Sequence, residues 1–568
     1  MDLLARRLLS VKNAVGPSAG PDGSIYYLSD YTGQYQIWRF DWRRHDVLFP
    51  WDGRVGAMSI SPRGHVAFAA DVGGDERWRI YVLDGDEVSD VATEGFNNLG
   101  PWTEDGLKLA YTSTVESPAD YYLYVYDRAT GTSARLAELS GINAAADWCG
   151  DAVLVAHEES SRDGDIYLVG RDGVKNLTKH SGEEKNASPR CLGHGRVAYL
   201  SNRWSEYSAI ALLDLNTGEA KPWVQLDREI EAFDVWENYM AYVVNEDGYS
   251  GLYIMHTPTG LTHKVGIPPG VVTSLSWRFG RLTFSLSGPQ IGHEVFVYGV
   301  EVRKITESPK YGLDFSKNAV PEAVRIKASD GVVIPVLLYK PSAQPPYKAV
   351  FILHGGPESQ ARPYFEPLAQ LLVRLGYLVV EPNFRGSTGY GKTFVTLDDG
   401  ERRLNAVRDV AEVAEWAQRQ GFIADRPCVM GGSYGGYLTL MSLALYPELW
   451  KCGVEIAGIV NLATFLERTA PWRRRHREAE YGRLEDRELL ARLSPITYAD
   501  KIAAPLLVVH GANDIRVPVG EADQLVARLR ELGKEVEFLR LENEGHVLSP
   551  SARPLVYGKA VEFIKRRL

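Results

Sequence analysis

A glycine-rich turn around Ser433 has the residue types and spacing best suited to chemistry. The run from Pro427 to Tyr437 is typical of a short strand, a sharp turn with the spacing G-x-S-x-G, and the start of a helix. Such a turn strains the serine so that its hydroxyl projects above a sheet, and the flanking glycines let strand and helix pass closely. The pentad alone is a weak signal. Its placement after a strand-like run and before the helix-compatible run 438–445 predicts that Ser433 is a nucleophile.

A serine nucleophile needs a base that takes its proton. Three histidines follow Ser433, namely His476, His510 and His546. His546 ends the turn 543–546 directly after a strand-like run, so it is predicted to be the base. His476 belongs to a charged cluster and His510 to a strand, where a solvated or structural histidine is the usual finding.

The base in turn needs a carboxylate that orients it. Asp514 lies in the turn after the strand-like run 506–509, whereas Asp425 precedes the serine and Asp500 ends a helix-like segment. The resulting order along the chain is serine, acid and histidine, each in a loop after a strand. This order is that of α/β-hydrolases, and Asp514 is predicted to be the acid.

Two backbone N–H groups are predicted to stabilise the oxyanion of a tetrahedral intermediate. One belongs to Tyr434, the residue after the nucleophile. The other is assigned to Gly356, in the glycine-rich loop 354–357 that follows a strand-like run.

The second half of the chain has the elements needed to position these residues. Short apolar runs such as 349–353, 377–380 and 506–509 alternate with amphipathic segments such as 407–418. Alternating strands and helices predict a mostly parallel, doubly wound sheet with helices on both faces. We therefore predict an α/β-hydrolase catalytic domain over residues 322–568.

The first half is built from repeats. A strand motif beginning at Ile37 recurs at residues 80, 123, 166, 210, 252 and 295, in steps of 42 to 44 residues. A period of 40 to 45 residues with about four short strands is the signature of a β-propeller. Residues 15–307 are therefore predicted to form seven blades. Residues 1–14 are an N-terminal segment with a short amphipathic helix or a frayed end, and residues 308–321 are a hinge.

Composition and charge exclude several classes of protein. The formal net charge is −10, which argues against nucleic-acid and anionic-membrane partners. No run approaches the 18 or so apolar residues that span a bilayer, and the charged N-terminus lacks the apolar stretch of a signal peptide. The four scattered cysteines show no paired or metal-type spacing, so unpaired thiols in a cytoplasmic protein are expected. A homo-oligomer is left open.

Four segments of the second half resemble the prolyl oligopeptidase family of serine peptidases, and the acylaminoacyl-peptidase branch in particular. They are Gly431–Tyr437, His354–Pro357, Asn383–Gly391 and Gly511–Pro518. That family joins a seven-bladed propeller to an α/β-hydrolase, so the resemblance extends over the whole chain. It implies hydrolysis of short peptides, with release of an acylated N-terminal residue or a dipeptide, and no metal or organic cofactor.

Three residues are candidates for substrate binding. Phe465 and Trp472 lie where the family builds the pocket for the side chain before the scissile bond, although aromatic residues at such spacing are as often core. Arg516 is expected near the mouth of the site, where a propeller carboxylate can pair with it. The dipeptidyl members hold a free substrate amine with paired glutamates; Glu158-Glu159 is the nearest match here, but its flanking pattern differs.

Three other functions are weighed against an acyl-releasing peptidase. A carboxylesterase uses the same triad and oxyanion hole on esters. A dipeptidyl aminopeptidase uses the same scaffold on peptides with a free amine. A propeller scaffold with an inactive hydrolase is disfavoured because every triad and oxyanion position is filled.

Overall fold

The computed structural model describes residues 3–568 and divides them into a propeller and a catalytic domain. Among these residues, seven four-stranded antiparallel sheets are followed by one eight-stranded sheet. The expected architecture, a seven-bladed β-propeller joined to an α/β-hydrolase, is confirmed.

Each blade is a meander of four consecutive strands. The strands of blades 1 to 4 are β1 (Ala14–Ala19), β2 (Ile25–Ser29), β3 (Gln36–Phe40), β4 (His45–Val47), β5 (Arg54–Ile60), β6 (Val66–Asp71), β7 (Arg79–Asp84), β8 (Glu87–Ala92), β9 (Asn97–Trp102), β10 (Lys108–Ser113), β11 (Tyr122–Asp127), β12 (Thr132–Ala137), β13 (Ile142–Cys149), β14 (Ala152–Ser160), β15 (Asp163–Gly170) and β16 (Gly173–Asn176). Those of blades 5 to 7 are β17 (Asn186–Cys191), β18 (Arg196–Ser201), β19 (Ala209–Asp214), β20 (Ala220–Val224), β21 (Ile230–Trp236), β22 (Tyr239–Glu246), β23 (Tyr249–His256), β24 (Thr262–Val265), β25 (Val271–Arg278), β26 (Arg281–Gly288), β27 (Gly292–Tyr298) and β28 (Val302–Lys304).

Burial explains the composition of the strands within a blade. The second strand is covered on both faces by neighbouring blades, so β2 and β6 consist of buried residues. The outermost strand faces solvent on the rim, and β8 and β12 are accordingly polar and mostly exposed. This alternation of apolar and polar strands produces the repeat seen in the sequence.

The catalytic domain contains the remaining strands and most helices. Its strands are β29 (Glu322–Lys327), β30 (Val333–Tyr339), β31 (Ala349–Leu353), β32 (Leu378–Pro382), β33 (Cys428–Gly432), β34 (Cys452–Ile456), β35 (Leu506–Gly511) and β36 (Val536–Leu541). The helices are α1 (Leu3–Leu9), α2 (Pro367–Arg374), α3 (Lys392–Val395), α4 (Arg403–Arg419), α5 (Tyr434–Leu445), α6 (Leu462–Arg468), α7 (Pro471–Tyr481), α8 (Arg487–Arg492), α9 (Gly520–Glu531) and α10 (Arg553–Lys565), with short 3₁₀ turns at Phe315–Lys317, Thr396–Asp398, Gly400–Arg402 and Pro495–Lys501.

The order of strands places the loops that carry the predicted catalytic residues at one edge of the sheet. The order is β29-β30-β32-β31-β33-β34-β35-β36, and the strands from β32 onward are parallel. Parallel strands end at the same edge, so the loops after β31, β33, β35 and β36 meet there. These four loops contain the predicted oxyanion glycine, the serine, the aspartate and the histidine.

Helix α1 packs with the catalytic domain, although it precedes the propeller. Its buried residues Ala5, Leu8 and Leu9 share a hydrophobic core with residues of α2 and α10. The amphipathic pattern of the first residues is thus explained by burial of one face. The two ends of the propeller are therefore both attached to the same domain, through α1 and through the predicted hinge 308–321.

The expectation of four unpaired thiols is wrong. The structure forms the disulfides Cys149–Cys191 and Cys428–Cys452, with Cα–Cα distances of 5.3 and 4.7 Å. Cys428 and Cys452 are direct register partners in the neighbouring parallel strands β33 and β34. Cys149 and Cys191 end the first strands of adjacent blades. Pairing across strands leaves no regular spacing in the sequence, which is why the thiols looked isolated.

Within residues 3–568, no helix has the length and apolarity needed to cross a bilayer.

Candidate active site

Ser433 occupies a strained turn between β33 and α5. Its backbone has φ 56° and ψ −120°, an unusual conformation for a residue with a side chain. The glycines on either side make the turn sterically feasible. A Cβ at Gly431 would lie 2.4 Å from the carbonyl carbon of Gly435, and one at Gly435 would lie 2.1 Å from the carbonyl oxygen of Leu353. The G-x-S-x-G spacing is thus required by close packing of strand, turn and helix.

The structure brings Ser433, His546 and Asp514 together as a hydrogen-bonded chain. Oγ of Ser433 lies 3.0 Å from Nε2 of His546, and Nδ1 of His546 lies 2.6 Å from Oδ2 of Asp514. The carboxylate only accepts, so Nδ1 carries the proton and donates it. Nε2 is then free to accept a proton from the serine hydroxyl.

The carboxylate of Asp514 is held by its own turn. Its Oδ1 accepts the backbone N–H groups of Arg516 and Val517, both at 2.9 Å. Burial alone would raise the pKa of Asp514, but the neighbouring imidazoles of His546 and His510 outweigh it and hold that pKa well below its ordinary value. Asp514 is therefore ionised throughout the neutral range, as an orienting acid must be.

The loop predicted to supply an oxyanion donor lies against the nucleophile. A Cβ at Gly355 would lie 3.3 Å from Cβ of Ser433, and the next residue, Gly356, has φ +122°. His354 braces this loop through hydrogen bonds from Nδ1 to its neighbour's carbonyl oxygen at 2.8 Å and between Nε2 and Oγ of Ser387 at 2.9 Å. Burial lowers the pKa of His354 to about 4, so the brace is neutral. The donor roles of Gly356 and Tyr434 remain predictions, with both residues beside Ser433.

A propeller loop after β6, residues 72–76, contacts both loops that carry the triad acid and base. Asn513, which precedes Asp514, donates from Nδ2 to the carbonyl oxygen of Gly73 at 2.9 Å. Arg516 donates from Nε to Oε2 of Glu76 at 2.6 Å. Arg516 thus pairs with a propeller carboxylate, and its role toward substrate remains a proposal. The triad loops are fixed partly by the other domain.

Gly545, which precedes His546, provides a test of this contact. A Cβ at Gly545 would lie 1.9 Å from the carbonyl oxygen of Gly74, which is backbone and cannot move aside cheaply. We expect Gly545→Ala to displace the histidine loop or part the domains, and to lower kcat/KM by on the order of 10²-fold, as a 1 Å misplacement does.

The control for this substitution is Gly299→Ala, because a Cβ at Gly299 meets nothing within 4 Å. It should leave kcat/KM unchanged. Thermal unfolding of both variants separates misplacement from loss of fold. Full activity of Gly545→Ala would show that the contact with the propeller does not position His546.

The two predicted pocket aromatics occupy different environments. Phe465 is 2% exposed and packs edge-on against Tyr481, with ring centroids 5.6 Å apart. Trp472 lies in the domain interface between two propeller rings, 5.9 Å from Phe96 and 5.6 Å from Tyr121. Phe465 thus packs on a ring of the catalytic domain, whereas Trp472 packs on rings of the propeller. Their roles in binding remain proposals.

An interdomain cavity of about 720 Å³ lies between blades 4 to 6 and the catalytic domain. Its lining includes Glu358, two residues beyond Gly356 in the oxyanion loop, and Ser161, which donates a hydrogen bond to it. Six glutamates and four arginines or lysines line the cavity: Glu158, Glu183, Glu206, Glu229, Glu231 and Glu358, with Arg162, Lys185, Lys392 and Arg477. The cavity is thus polar and close to the reaction centre.

The pair Glu158-Glu159 does not face the cavity as a unit. Glu158 lines it and lies 3.7 Å from Nε2 of His476, whereas Glu159 pairs with the exposed Arg475. Glu229, which the sequence did not single out, lines the cavity and forms no ion pair with any residue of the described chain. It accepts a hydrogen bond from the N–H of Ser208 at 3.2 Å. Burial first, and then the charge of Glu231, raise the pKa of Glu229.

A buried network beneath Tyr434 was also missed by sequence reasoning. The phenol of Tyr434 donates to Oδ2 of Asp398 at 2.9 Å. The guanidinium of Arg403 stacks over Tyr434 at 5.1 Å and pairs with Glu480 at 3.2 Å. Arg403 is fully buried, so its charge needs these partners. Arg403 follows the charged residues Asp398, Asp399, Glu401 and Arg402 in the sequence, and such a run usually indicates a solvated surface, so no signal pointed to its burial.

No cluster of three or more His, Cys, Asp or Glu side chains suited to a metal ion occurs among residues 3–568.

Residues 363–568 match the prolyl oligopeptidase family. The chain is 37% identical over 211 residues to dipeptidyl aminopeptidase BIII of Pseudoxanthomonas mexicana, covering 36% of this chain and 31% of that protein. It is 30% identical over 230 residues to the acylamino-acid-releasing enzyme of Sus scrofa, covering 39% and 31%. The solved structure of a puromycin hydrolase superposes with a TM-score of 0.89 at 18% identity, covering 100% of this chain and 96% of that one.

The sequence match to these two curated relatives spans about a third of their length. The likeness in structure extends over both domains, at an identity that speaks for the fold alone. The matched segment contains the nucleophile turn, the acid and the histidine in the arrangement described above. The match to the prolyl oligopeptidase family thus lies in the C-terminal domain, in the segment that carries these three residues.

Proposed function

We propose that this protein is a serine peptidase that hydrolyses short peptides through an acyl-enzyme intermediate. The observation that carries the proposal is the chain Ser433–His546–Asp514, with distances of 3.0 and 2.6 Å and one consistent set of proton donors. The position of the propeller over the triad loops supports small substrates, because a folded protein has no direct approach to an enclosed site.

The proposed reaction follows from the proton positions. Oγ of Ser433 attacks the carbonyl carbon of the scissile bond while Nε2 of His546 takes the hydroxyl proton, and Asp514 stabilises the imidazolium. The oxyanion is stabilised by the N–H groups of Tyr434 and Gly356. His546 then protonates the leaving amine, and a water molecule hydrolyses the acyl-enzyme by the same steps.

The first candidate for the substrate end is an acylated N-terminal residue, as in the relatives named acylamino-acid-releasing enzymes. A blocked terminus carries no charge and requires no anionic partner. A large apolar residue before the cut would gain about 1.5–3 kcal/mol from a buried pocket, a preference over alanine of about 10- to 100-fold. Phe465 and Trp472 are proposed to contribute to that preference.

The second candidate is a free amine, as the name of dipeptidyl aminopeptidase BIII suggests for that relative. The carboxylate of Glu229, which lines the interdomain cavity and accepts a hydrogen bond from the N–H of Ser208, favours it. A hydrogen bond to a charged group contributes about 1.5–3 kcal/mol, so an ammonium bound there would improve binding by about 10- to 100-fold.

Anilide substrates with blocked and free ends test the proposal. We expect the wild-type protein to hydrolyse acylated amino-acid anilides faster than free dipeptide anilides. Glu229→Gln should change the rate on the acylated anilide by no more than about threefold, since a neutral end gains little from the carboxylate. The measurements are kcat/KM for both anilides and for a simple acyl ester. Glu159→Gln is the matched control, because its partner is a surface arginine.

Faster hydrolysis of free dipeptide anilides, with a KM raised about tenfold in Glu229→Gln only, would establish the second candidate. Turnover of the ester without any anilide hydrolysis would mean a carboxylesterase. If neither the anilides nor the ester were hydrolysed, the remaining interpretation would be a propeller scaffold with an inactive hydrolase. The cytoplasmic location remains a prediction, and the two disulfides count against it because they are typical of oxidising compartments.

A further inference from the structure

A second histidine, His510, lies behind the triad acid. It is the second-last residue of β35 and is 1% exposed. Its Nε2 is 3.4 Å from Oδ2 of Asp514, the same oxygen that receives the proton of His546. A strand histidine of this kind is usually structural. The contact with the catalytic carboxylate gives it a further role to consider.

His510 closes a hydrogen-bonded ring around the acid turn. Its Nε2 lies 2.8 Å from the carbonyl oxygen of Val517. That oxygen only accepts, so Nε2 carries a proton and donates it. The N–H of Val517 in turn donates to Oδ1 of Asp514 at 2.9 Å. The imidazole therefore links the start of the turn to its end, with the carboxylate of Asp514 held between them.

The surroundings of His510 keep a proton on the imidazole. Glu455 from β34 is fully buried, and its Oε2 has no hydrogen-bond partner within the described chain; the same holds for Nδ1 of His510. Burial would lower the pKa of His510, but Asp514, Glu455 and the carbonyl oxygen of Val517 outweigh it and raise that pKa. Glu521 from α9 adds a further carboxylate to this region. Whether the imidazole of His510 is neutral or charged, its Nε2 therefore carries a proton on the side that faces Asp514.

We propose that His510 is a positioning residue of the triad, which holds the carboxylate of Asp514 in the orientation that His546 requires by donating from Nε2 across the acid turn. This inference rests on the proposed serine hydrolase chemistry. His510 touches neither substrate nor serine, so it acts on the rate through Asp514 alone.

Two substitutions of His510 distinguish the effect of its hydrogen-bond donor from the effect of its side-chain volume. Gln places an amide N–H near the position of Nε2, whereas Leu fills similar volume without a donor. We expect His510→Leu to lower kcat by on the order of 10²-fold with KM nearly unchanged, because a shift of about 1 Å in the acid misorients the base. We expect the kcat of His510→Gln to be at least tenfold higher than that of His510→Leu.

Val508→Ala on the same strand is the matched control for stability. Val508 is fully buried, so its truncation destabilises the core without touching the acid turn. It should lower the melting temperature and leave kcat at the folded temperature unchanged. The labelling rate of Ser433 by a fluorophosphonate probe is measured for every variant, as a second readout of nucleophile activation.

The inference is overturned if His510→Leu retains wild-type kcat and labelling rate, or if His510→Gln is as impaired as His510→Leu. It is also overturned if Val508→Ala loses kcat in proportion to its loss of stability, since a general effect of packing would then explain the result. Failure of the wild-type protein to react with the probe would instead refute the proposed function. The two failures are therefore distinguishable.

Discussion

Replacing Ser433 with alanine is expected to lower kcat by on the order of 10⁴-fold or more while the fold is retained. In the proposed mechanism the hydroxyl is the attacking group, so its loss removes the acyl-enzyme route altogether. Residual rate would come from the oxyanion donors and substrate binding alone. The measurement is kcat on a peptide anilide, with thermal unfolding as the check on the fold.

The other two triad positions supply the internal comparison. His546→Ala is expected to lose as much as Ser433→Ala, because the serine proton then has no acceptor. Asp514→Asn should also lose most activity, since an amide can donate to Nδ1 and favour the wrong tautomer of His546. The double substitution of Ser433 and His546 should cost no more than either alone, because the residues act as a unit. Retention of more than about a tenth of wild-type activity by Ser433→Ala would refute the assignment.

Covalently closing the two domains is expected to slow hydrolysis of peptides by at least about tenfold while small esters are little affected, because larger substrates need the domains to part on the μs–ms scale. Two exposed interdomain contacts suit a short crosslink. Gln34 and Ser551 are joined by a hydrogen bond of 3.3 Å, and Asp247 and Arg325 by an ion pair of 2.7 Å. Each pair is replaced by cysteines and joined by a bis-maleimide.

The same cysteine variants without the crosslinker are the controls. A crosslink that slows peptides at only one of the two contacts would mark the edge that opens. The intact protein should cleave short peptides and leave stably folded proteins untouched. Efficient digestion of casein by the crosslinked protein, at the rate of the uncrosslinked one, would show that the propeller does not select substrates by size.

The features that sequence alone determined are local or periodic. The nucleophile turn can be recognised in the sequence because its glycines stand at a fixed spacing around Ser433, although Gly435 is required by contact with the distant Leu353. The propeller can be recognised in the sequence because the second strand is buried in blade after blade, so that apolar strands recur at a regular spacing. The meeting of the loops that carry Ser433, Asp514 and His546 follows from the rule that parallel strands end at one edge. Those predictions needed no knowledge of how distant segments meet.

Only the tertiary structure decided which distant residues touch. The contact between Gly73 and Asn513 joins residues 440 positions apart, and nothing in the local sequence of either announces the other. The same holds for the cysteine pairs, which were expected to be unpaired, and for Trp472, which the propeller rings surround. His510 could be placed on a strand but not beside Asp514, because the reach of a side chain across a turn depends on how that turn folds. Periodicity and motifs reflect requirements within one segment of the chain. Packing between distant segments can be achieved by many different sequences, so it leaves no fixed spacing that a reader of the sequence could detect.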